Sequence, residues 1–142
     1  MKTVRYDFFR VETPEDRPLV GILEDIFSKE YEERIVEIFG YPVCLDQLAS
    51  SSNGKVHGLF IKVRMDGIPP KTNIKTGEKH AIELDDDEGL GEDTVFIFDP
   101  SLNVLVLQRN RIGVTSSQFA RYIHENCDLR SGSGFWTTRR QN

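Results

Sequence analysis

The chain has 142 residues, which fits one domain, and its 38% hydrophobic content is enough for one core. A formal net charge of −5 excludes a protein that coats nucleic acid or anionic membranes with its whole surface. The two cysteines, Cys44 and Cys127, are too few for a disulfide-stapled secreted scaffold, so we expect reduced thiols.

The first residues are charged and lack the apolar stretch of a signal peptide, so we expect no secretion signal. No apolar run approaches the roughly 20 residues that span a bilayer. These observations predict a cytoplasmic protein with no membrane association. The spacings typical of zinc ligands and of phosphate-binding glycine loops do not occur, so the sequence predicts no metal and no cofactor.

In chain order, residues 3–11 are rich in β-branched and aromatic side chains and predict a strand. Residues 19–29 carry apolar side chains at helical spacing and predict an amphipathic helix. Residues 34–39 fit either a helix or a strand. We favour a strand, because Gly40 breaks the run and residues 42–45 suit the return of a hairpin.

Residues 57–66 alternate in polarity and predict a half-buried strand. Its apolar face would carry Leu59, Ile61, Val63 and Met65, and its other face Lys62 and Arg64. A short strand over residues 80–84 and an acidic loop over 85–93 follow. The apolar runs 95–98 and 104–107 then predict a hairpin. Their near-continuous apolarity predicts central strands covered on both faces, by helices or by another subunit.

A second helix is predicted over residues 115–125. Thr115 and Gln118 have the spacing of a capping box, in which each side chain accepts a hydrogen bond from the backbone of the other. Val114 and Phe119 occupy the two positions of a hydrophobic staple.

The last segment, residues 131–142, is rich in Ser and Gly and then aromatic and basic, and we expect a flexible tail. The remaining elements predict a single α+β domain over residues 1–130. Its architecture would be a mostly antiparallel sheet with two main helices.

Charge is distributed unevenly along the chain. Residues 103–142 hold six arginines against two acidic residues, a balance of +4, which leaves −9 on residues 1–102. Such asymmetry is typical of a basic interaction face on an acidic body.

The first candidate site is the loop before the second predicted helix. Arg109 and Arg111 carry forked donors that fit phosphate oxygens. The helix start at Thr115 adds unpaired backbone N–H groups and a partial positive charge, and Gly113 would allow a close backbone approach. We expect this loop to bind phosphate, in nucleic acid or in another partner. The predicted site residues are Arg109, Asn110, Arg111 and Thr115.

Three alternatives stay open. In the first, both arginines pair with the acidic loop at residues 85–93. In the second, Asp85, Asp87 or Asp99 holds a divalent cation for a metal-dependent enzyme, although the spacing does not match an EF-hand and a solvated loop explains the same charges. In the third, the tail stacks on bases and contacts phosphates. Its candidates are Phe135, Trp136, Arg139 and Arg140.

Three segments carry a resemblance to a known family: residues 68–70 (IPP), 82–94 (IELDDDEGLGEDT) and 105–114 (LVLQRNRIGV). On these segments the chain resembles an uncharacterised bacterial family of domains of unknown function, met in phage and mobile-element settings. The motif LQRNR-x-G is also similar, more loosely, to one in the KwaB-like subunit of the Kiwa antiphage system. The resemblance covers about residues 60–125. It implies a mixed α+β domain and a role in phage defence or DNA association, with no catalytic residues.

The leading expectation is a non-enzymatic binding module of bacterial or phage origin. Its expected partners are nucleic acid and a second protein chain, either a copy of itself or another subunit, because strands apolar on both faces need more cover than two helices provide. The alternatives are an oligomeric protein-interaction subunit without nucleic-acid binding and the metal-dependent enzyme.

Overall fold

The computed structural model describes residues 3–14 and 16–126, and the backbone of residues 137–140. The strands are β1 (Tyr6–Glu12), β2 (Val36–Ile38), β3 (Tyr41–Ser50), β4 (Val56–Arg64), β5 (Lys71–Thr72), β6 (Lys79–His80), β7 (Leu90–Asp99), β8 (Val104–Gln108) and β9 (Thr137–Arg140). The helices are α1 (Leu19–Phe27), α2 (Tyr31–Arg34) and α3 (Ser116–Asn126). Among the described residues, no helix combines the length and apolarity needed to cross a lipid bilayer.

Seven strands form one sheet in the order β2-β3-β4-β7-β8-β1-β9, and every neighbouring pair is antiparallel. Strands β5 and β6 form a separate hairpin. This arrangement confirms an α+β class with an antiparallel sheet, although the sheet dominates. The short helix α2 adds a third helix to the two that the sequence predicts.

Helices α1 and α3 cover one face of the sheet, which we call the covered face. The apolar stripe of α1 packs into the same core cluster as the inward residues of α3. The chain enters α1 from β1, near one end of the strand order, and leaves towards β2 at the opposite end. Helix α1 therefore crosses the sheet, and the core lies between it, α3 and the strands.

Four aromatic rings fill the centre of this core. Phe60 of β4 packs against Phe96 of β7, with ring centroids 5.3 Å apart, and against Phe119 and Tyr122 of α3 at 5.1 and 5.0 Å. All four side chains are fully buried. Tilted and edge-to-face contacts of this kind add to the stabilisation that comes from burying the rings.

The strand predicted over residues 57–66 is present as β4, but its faces are reversed. Phe60 is buried on the covered face, and Lys62 lies on that same face because alternate residues of a strand share a face. Leu59 and Ile61 lie on the opposite face and are half-buried. An aromatic ring buries more area than an aliphatic side chain, so Phe60 decides which face meets the helices.

The sheet face opposite α1 and α3, the outer face, is also apolar. Phe8 of β1 is the register partner of Val106 of β8, which is the partner of Ile97 of β7. In this single chain Phe8 is 50% exposed and Ile97 39%. The described helices therefore cover one face only, where the sequence predicts cover on both.

Both predicted hairpins are present. The runs 95–98 and 104–107 lie in β7 and β8, and β2 and β3 form the earlier hairpin. The turn between β2 and β3 consists of Phe39 and Gly40, both at positive φ (50° and 86°). Such two-residue turns match the twist of the strands that they join.

Three segments differ from the sequence prediction, and residues 31–34 form α2, where the sequence predicts no separate element. The strand predicted over 80–84 is reduced to β6, which ends at His80. Strand β7 begins at Leu90, so part of the predicted acidic loop is strand. In the segment expected to be a flexible tail, residues 137–140 pair with β1 as β9. The other tail residues and Cys127 lie outside the described residues.

Candidate functional site

The predicted site residues line one open cavity of about 500 Å³ at the start of α3, which we call the loop cavity. Strand β8 ends at Gln108, and the chain then turns through residues 109–115 into the helix. Asp7 and Phe9 of the neighbouring β1 form the opposite wall. The turn from β8 into α3 therefore brings together Arg109, Asn110, Arg111 and Thr115.

The N-terminus of α3 carries the predicted capping box. The backbone N–H of Gln118 donates to Thr115 Oγ1 at 3.3 Å, and the backbone N–H of Thr115 donates to Gln118 Oε1 at 3.0 Å. Val114 and Phe119, at the staple positions, are both buried. This local arrangement fixes where the helix begins, and its first turn faces the loop cavity through Ser116.

Arg109 is held by an ion pair with Asp7 of β1. Its Nε donates to Asp7 Oδ2 at 3.0 Å, and its Nη2 donates to the other carboxylate oxygen. The guanidinium is 46% exposed and the carboxylate 16%. These hydrogen bonds, together with the negative charge of Asp7, raise the pKa of Arg109. The charge of Arg109 is therefore largely neutralised by a residue of the first strand.

Neither arginine pairs with the acidic loop. Within the described residues, Arg109 contacts Asp7 alone as an ion-pair partner, and Arg111 has no carboxylate oxygen within 4.0 Å. The alternative in which residues 85–93 neutralise both arginines is wrong for this structure. Strand β7 takes up part of that segment and carries it along the sheet.

Asn110 and Gly113 have structural contacts. Asn110 Nδ2 donates to the backbone oxygen of Asp93 at 3.2 Å, and its Oδ1 accepts from Ile112 N at 3.3 Å. A Cβ on Gly113 would overlap Thr94 Oγ1, which itself accepts a hydrogen bond from Val114 N at 2.8 Å. The close backbone approach predicted for Gly113 is therefore made to a buried threonine, because the loop must lie flat on β7.

Arg111 also lines a second, smaller cavity of about 140 Å³, which we call the cation cavity. Its lining residues are Tyr41, Lys62, Arg64, Glu92, Arg111 and Ile112. Lys62 and Arg64 are functional candidates that the sequence argument missed. Their alternation with aliphatic residues on β4 is the available signal, and by itself it predicts a solvent-facing side of the strand.

The acidic side chains show no shared site. Within the described ranges, no three His, Cys, Asp or Glu side chains come close enough to hold a metal ion together. Asp99 accepts hydrogen bonds from Ser101 Oγ at 2.6 Å and Ser101 N at 2.9 Å in the β7–β8 turn, and these bonds lower its pKa. Glu88 folds back to accept a hydrogen bond from Asp85 N at 2.8 Å.

The described residues include only one of the two cysteines and only part of the predicted tail. Cys44 is a free thiol in the core, and burial raises its pKa. The side chains of Arg139 and Arg140 lie outside the described residues, as do Phe135 and Trp136. The backbone register places Arg140 opposite Phe9, a residue of the loop cavity wall.

Comparisons with known proteins identify a family but no activity. No curated protein and no solved structure matches the chain. A family model described as a family of unknown function, DUF6731, matches residues 1–131. Because this match spans most of the sequence, the chain belongs to that family of unknown function.

Proposed function

We propose that the chain is a non-enzymatic binding module that holds a phosphate-bearing partner, nucleic acid, on the surface around the loop 109–111 and the start of α3. The observation that carries this proposal is Arg111. It is exposed, forms no ion pair with a described carboxylate, and lines the same cavity as Arg109 and Thr115. An exposed guanidinium beside a helix N-terminus is suited to phosphate oxygens.

Arg109 and Arg111 differ in how many of their N–H donors already have a partner in the described structure. Arg109 donates two N–H groups to Asp7, whereas Arg111 forms no hydrogen bond with a described residue. The backbone N–H groups of Ser116 and Ser117 form no hydrogen bond with a described residue, and they add donors at the helix start. We expect Arg111 to contribute more binding than Arg109.

The test is fluorescence anisotropy with a labelled DNA oligonucleotide at several salt concentrations. Arg111→Gln should weaken binding and reduce the slope of log affinity against log salt by about one, as for a lost phosphate contact. Arg121→Gln is the matched control, because Arg121 is an exposed arginine that pairs with Glu125 on α3. Equal effects of the two variants, or no binding at low salt, would overturn the proposal.

A second candidate function is assembly through the outer face. The row formed by Phe8, Val106 and Ile97 borders a shallow cavity of about 570 Å³, and the neighbouring Leu102 is 66% exposed. A contiguous apolar patch of this kind is typical of a protein interface. On this proposal the module is an oligomeric or protein-binding subunit, with or without nucleic acid.

Light scattering after size-exclusion chromatography tests the assembly candidate. Ile97→Lys should shift the chain towards a monomer, since a charge in the middle of a buried interface is strongly unfavourable. Ile74→Lys is the control, because Ile74 is 97% exposed on the separate β5–β6 hairpin. A wild-type chain that is monomeric at micromolar concentration would contradict assembly of the chain with itself.

The role in phage defence and the likeness to the KwaB-like subunit rest on the sequence resemblance alone and stay predictions, as does the cytoplasmic location. A bacterial strain that expresses the chain should then show a lower efficiency of plating by phage than a strain that expresses Arg111→Gln. Equal plating on both strains would contradict a defence role that depends on this surface.

A further inference from the structure

The cation cavity gathers positive charge from distant parts of the chain. Lys62 and Arg64 come from β4, and Arg111 comes from the loop after β8. Glu92 of β7 contributes the one carboxylate in the lining. The cavity therefore has three formal positive charges against one negative charge.

These charges are not neutralised by ion pairs within the described part of the chain. Glu92 is the register partner of Lys62 on the neighbouring strand, yet their charged atoms do not come within 4.0 Å of each other. Arg64 and Arg111 also lack an ion pair with a described carboxylate. Like charges held together at a half-buried position raise the free energy of the folded state unless an anion joins them.

The surroundings of Lys62 disfavour the positive charge of its side chain. Its side chain is half-buried, with Nζ 4.6 Å from the centroid of the Tyr41 ring and 3.4 Å from the backbone oxygen of Gly113. Burial, followed by the positive charge of Arg64, lowers the pKa of Lys62. The aromatic ring and the carbonyl fix the ammonium group in place, while two of its three N–H donors have no protein acceptor among the described residues.

We infer that the cation cavity is a binding site for a phosphate group, held by Lys62, Arg64 and Arg111. Two guanidinium forks and one ammonium group supply several charged donors to a single tetrahedral oxyanion. The site is separate from the loop cavity and shares only Arg111 with it. The inference of a phosphate site in the cation cavity does not depend on whether the chain binds nucleic acid.

The direct test is an NMR titration of the lysine side chains with inorganic phosphate at low ionic strength. Phosphate should raise the pKa of Lys62 by about half a unit or more, because an anion stabilises the charged ammonium. Sodium chloride at the same ionic strength should not. An equal response to chloride, or no response of Lys62 to phosphate, would overturn the inference.

Calorimetry measures the affinity of variants for inorganic phosphate and so locates the site. Lys62→Gln and Arg64→Gln should each weaken binding about tenfold, as expected for the loss of a charge-assisted contact. Lys79→Gln is the matched control, since Lys79 is exposed on β6. Equal affinities of Lys62→Gln and Lys79→Gln would place phosphate elsewhere.

A gain-of-binding variant guards against misfolding as an explanation. Glu92→Gln removes the carboxylate from the cavity, and it should tighten phosphate binding about threefold by removing a repulsive charge. Weaker binding by Glu92→Gln would contradict the inferred site. Calorimetry with inorganic phosphate involves no nucleic acid, so a failure of the nucleic-acid proposal and a failure of this inference give different results.

The phosphate could belong to a nucleic acid strand or to a free nucleotide, and competition separates the two sources. If a single-stranded oligonucleotide displaces phosphate at a lower concentration than a nucleoside monophosphate does, the site binds the strand backbone. Displacement by the monophosphate at the lower concentration assigns it to a free nucleotide. Displacement by neither would exclude both and overturn a phosphate-ester ligand.

Discussion

Arg109 and Asp7 lie 102 positions apart in the chain, yet they form two hydrogen bonds across the β8–β1 pair. The carboxylate of Asp7 therefore largely neutralises the charge of one arginine on the proposed nucleic-acid surface. Asp7→Asn should release this charge and strengthen DNA binding, with a salt slope that is larger by about one. Anisotropy measurements would show it. Asp66→Asn, at an exposed turn, is the control, and an equal gain in both variants would mean that only net charge matters.

Tyr122 joins the core to the backbone of two other elements. Its hydroxyl accepts from Leu45 N at 2.9 Å and donates to Arg34 O at 2.6 Å. Tyr122→Phe would leave two backbone groups unpaired, and it should lower the free energy of unfolding by about 1–3 kcal/mol. Urea denaturation measures the loss. Tyr6→Phe, at a half-exposed tyrosine on β1, should change stability little, and equal losses would contradict the role of the hydroxyl.

Two glycines should respond to alanine with opposite signs. Gly113→Ala would drive a Cβ into Thr94 Oγ1 and should destabilise the chain by about 1–3 kcal/mol. Gly21→Ala lies within α1, where the new Cβ meets only Pro18 Cγ at 3.9 Å, and it should stabilise by about 0.5–1 kcal/mol. Melting temperatures of both variants check the pair. A loss at Gly21 or a gain at Gly113 would contradict this account of the packing.

Phe39 is strained as well as exposed. Its φ is 50° in the turn before Gly40, and its side chain is 71% exposed. Asn is the residue that this turn type prefers before Gly, so Phe39→Asn should stabilise the β2–β3 hairpin by about 1 kcal/mol. Thermal unfolding tests this, with Phe8→Asn on the regular strand β1 as a comparison that should not stabilise. A loss of stability in Phe39→Asn would mean that the ring makes a contribution in this turn.

Tyr31 gives the chain a distinctive alkaline transition. Its hydroxyl donates to Asp46 Oδ1 at 3.2 Å, and burial, followed by the negative charges of Cys44 and Asp46, raises its pKa to about 12. A pKa above the ordinary 10.0 means that the folded state holds the proton more tightly, so the stabilisation is full below pH 10 and disappears as the pH rises through about 12. Denaturation of Tyr31→Phe should show a smaller loss of stability over that interval than the wild type. An identical pH profile would contradict it.

Elements with local signals could be predicted from the sequence. The capping box at Thr115 and Gln118 depends on two side chains three positions apart, and it is present with both hydrogen bonds. The β7–β8 hairpin depends on two apolar runs and a short turn, and it is also present. Each signal lies within about a dozen residues, so a pattern in the sequence can show it.

The candidate site could be predicted only in part, because its charges interact across distant strands. Nothing near Arg109 in the sequence indicates Asp7 as its partner. Lys62 and Arg64 alternate with aliphatic residues and so resemble a solvent face, and only the packing of Phe60 against α3 shows that they lie on the covered face. Which face of a strand is buried depends on its tertiary partners.

Strand β1 pairs with β8 in a register that joins Tyr6 to Gln108. On the ribosome, the first strand must therefore wait while about 100 further residues are made, which takes roughly 5–20 s at ordinary rates of synthesis. During that interval the strand that carries Phe8 and Phe9 lacks both of its described partner strands, β8 and β9. The order of the strands thus makes the newly made chain a candidate client for chaperones that hold exposed apolar segments, and it makes completion of the sheet a late step in the production of this protein.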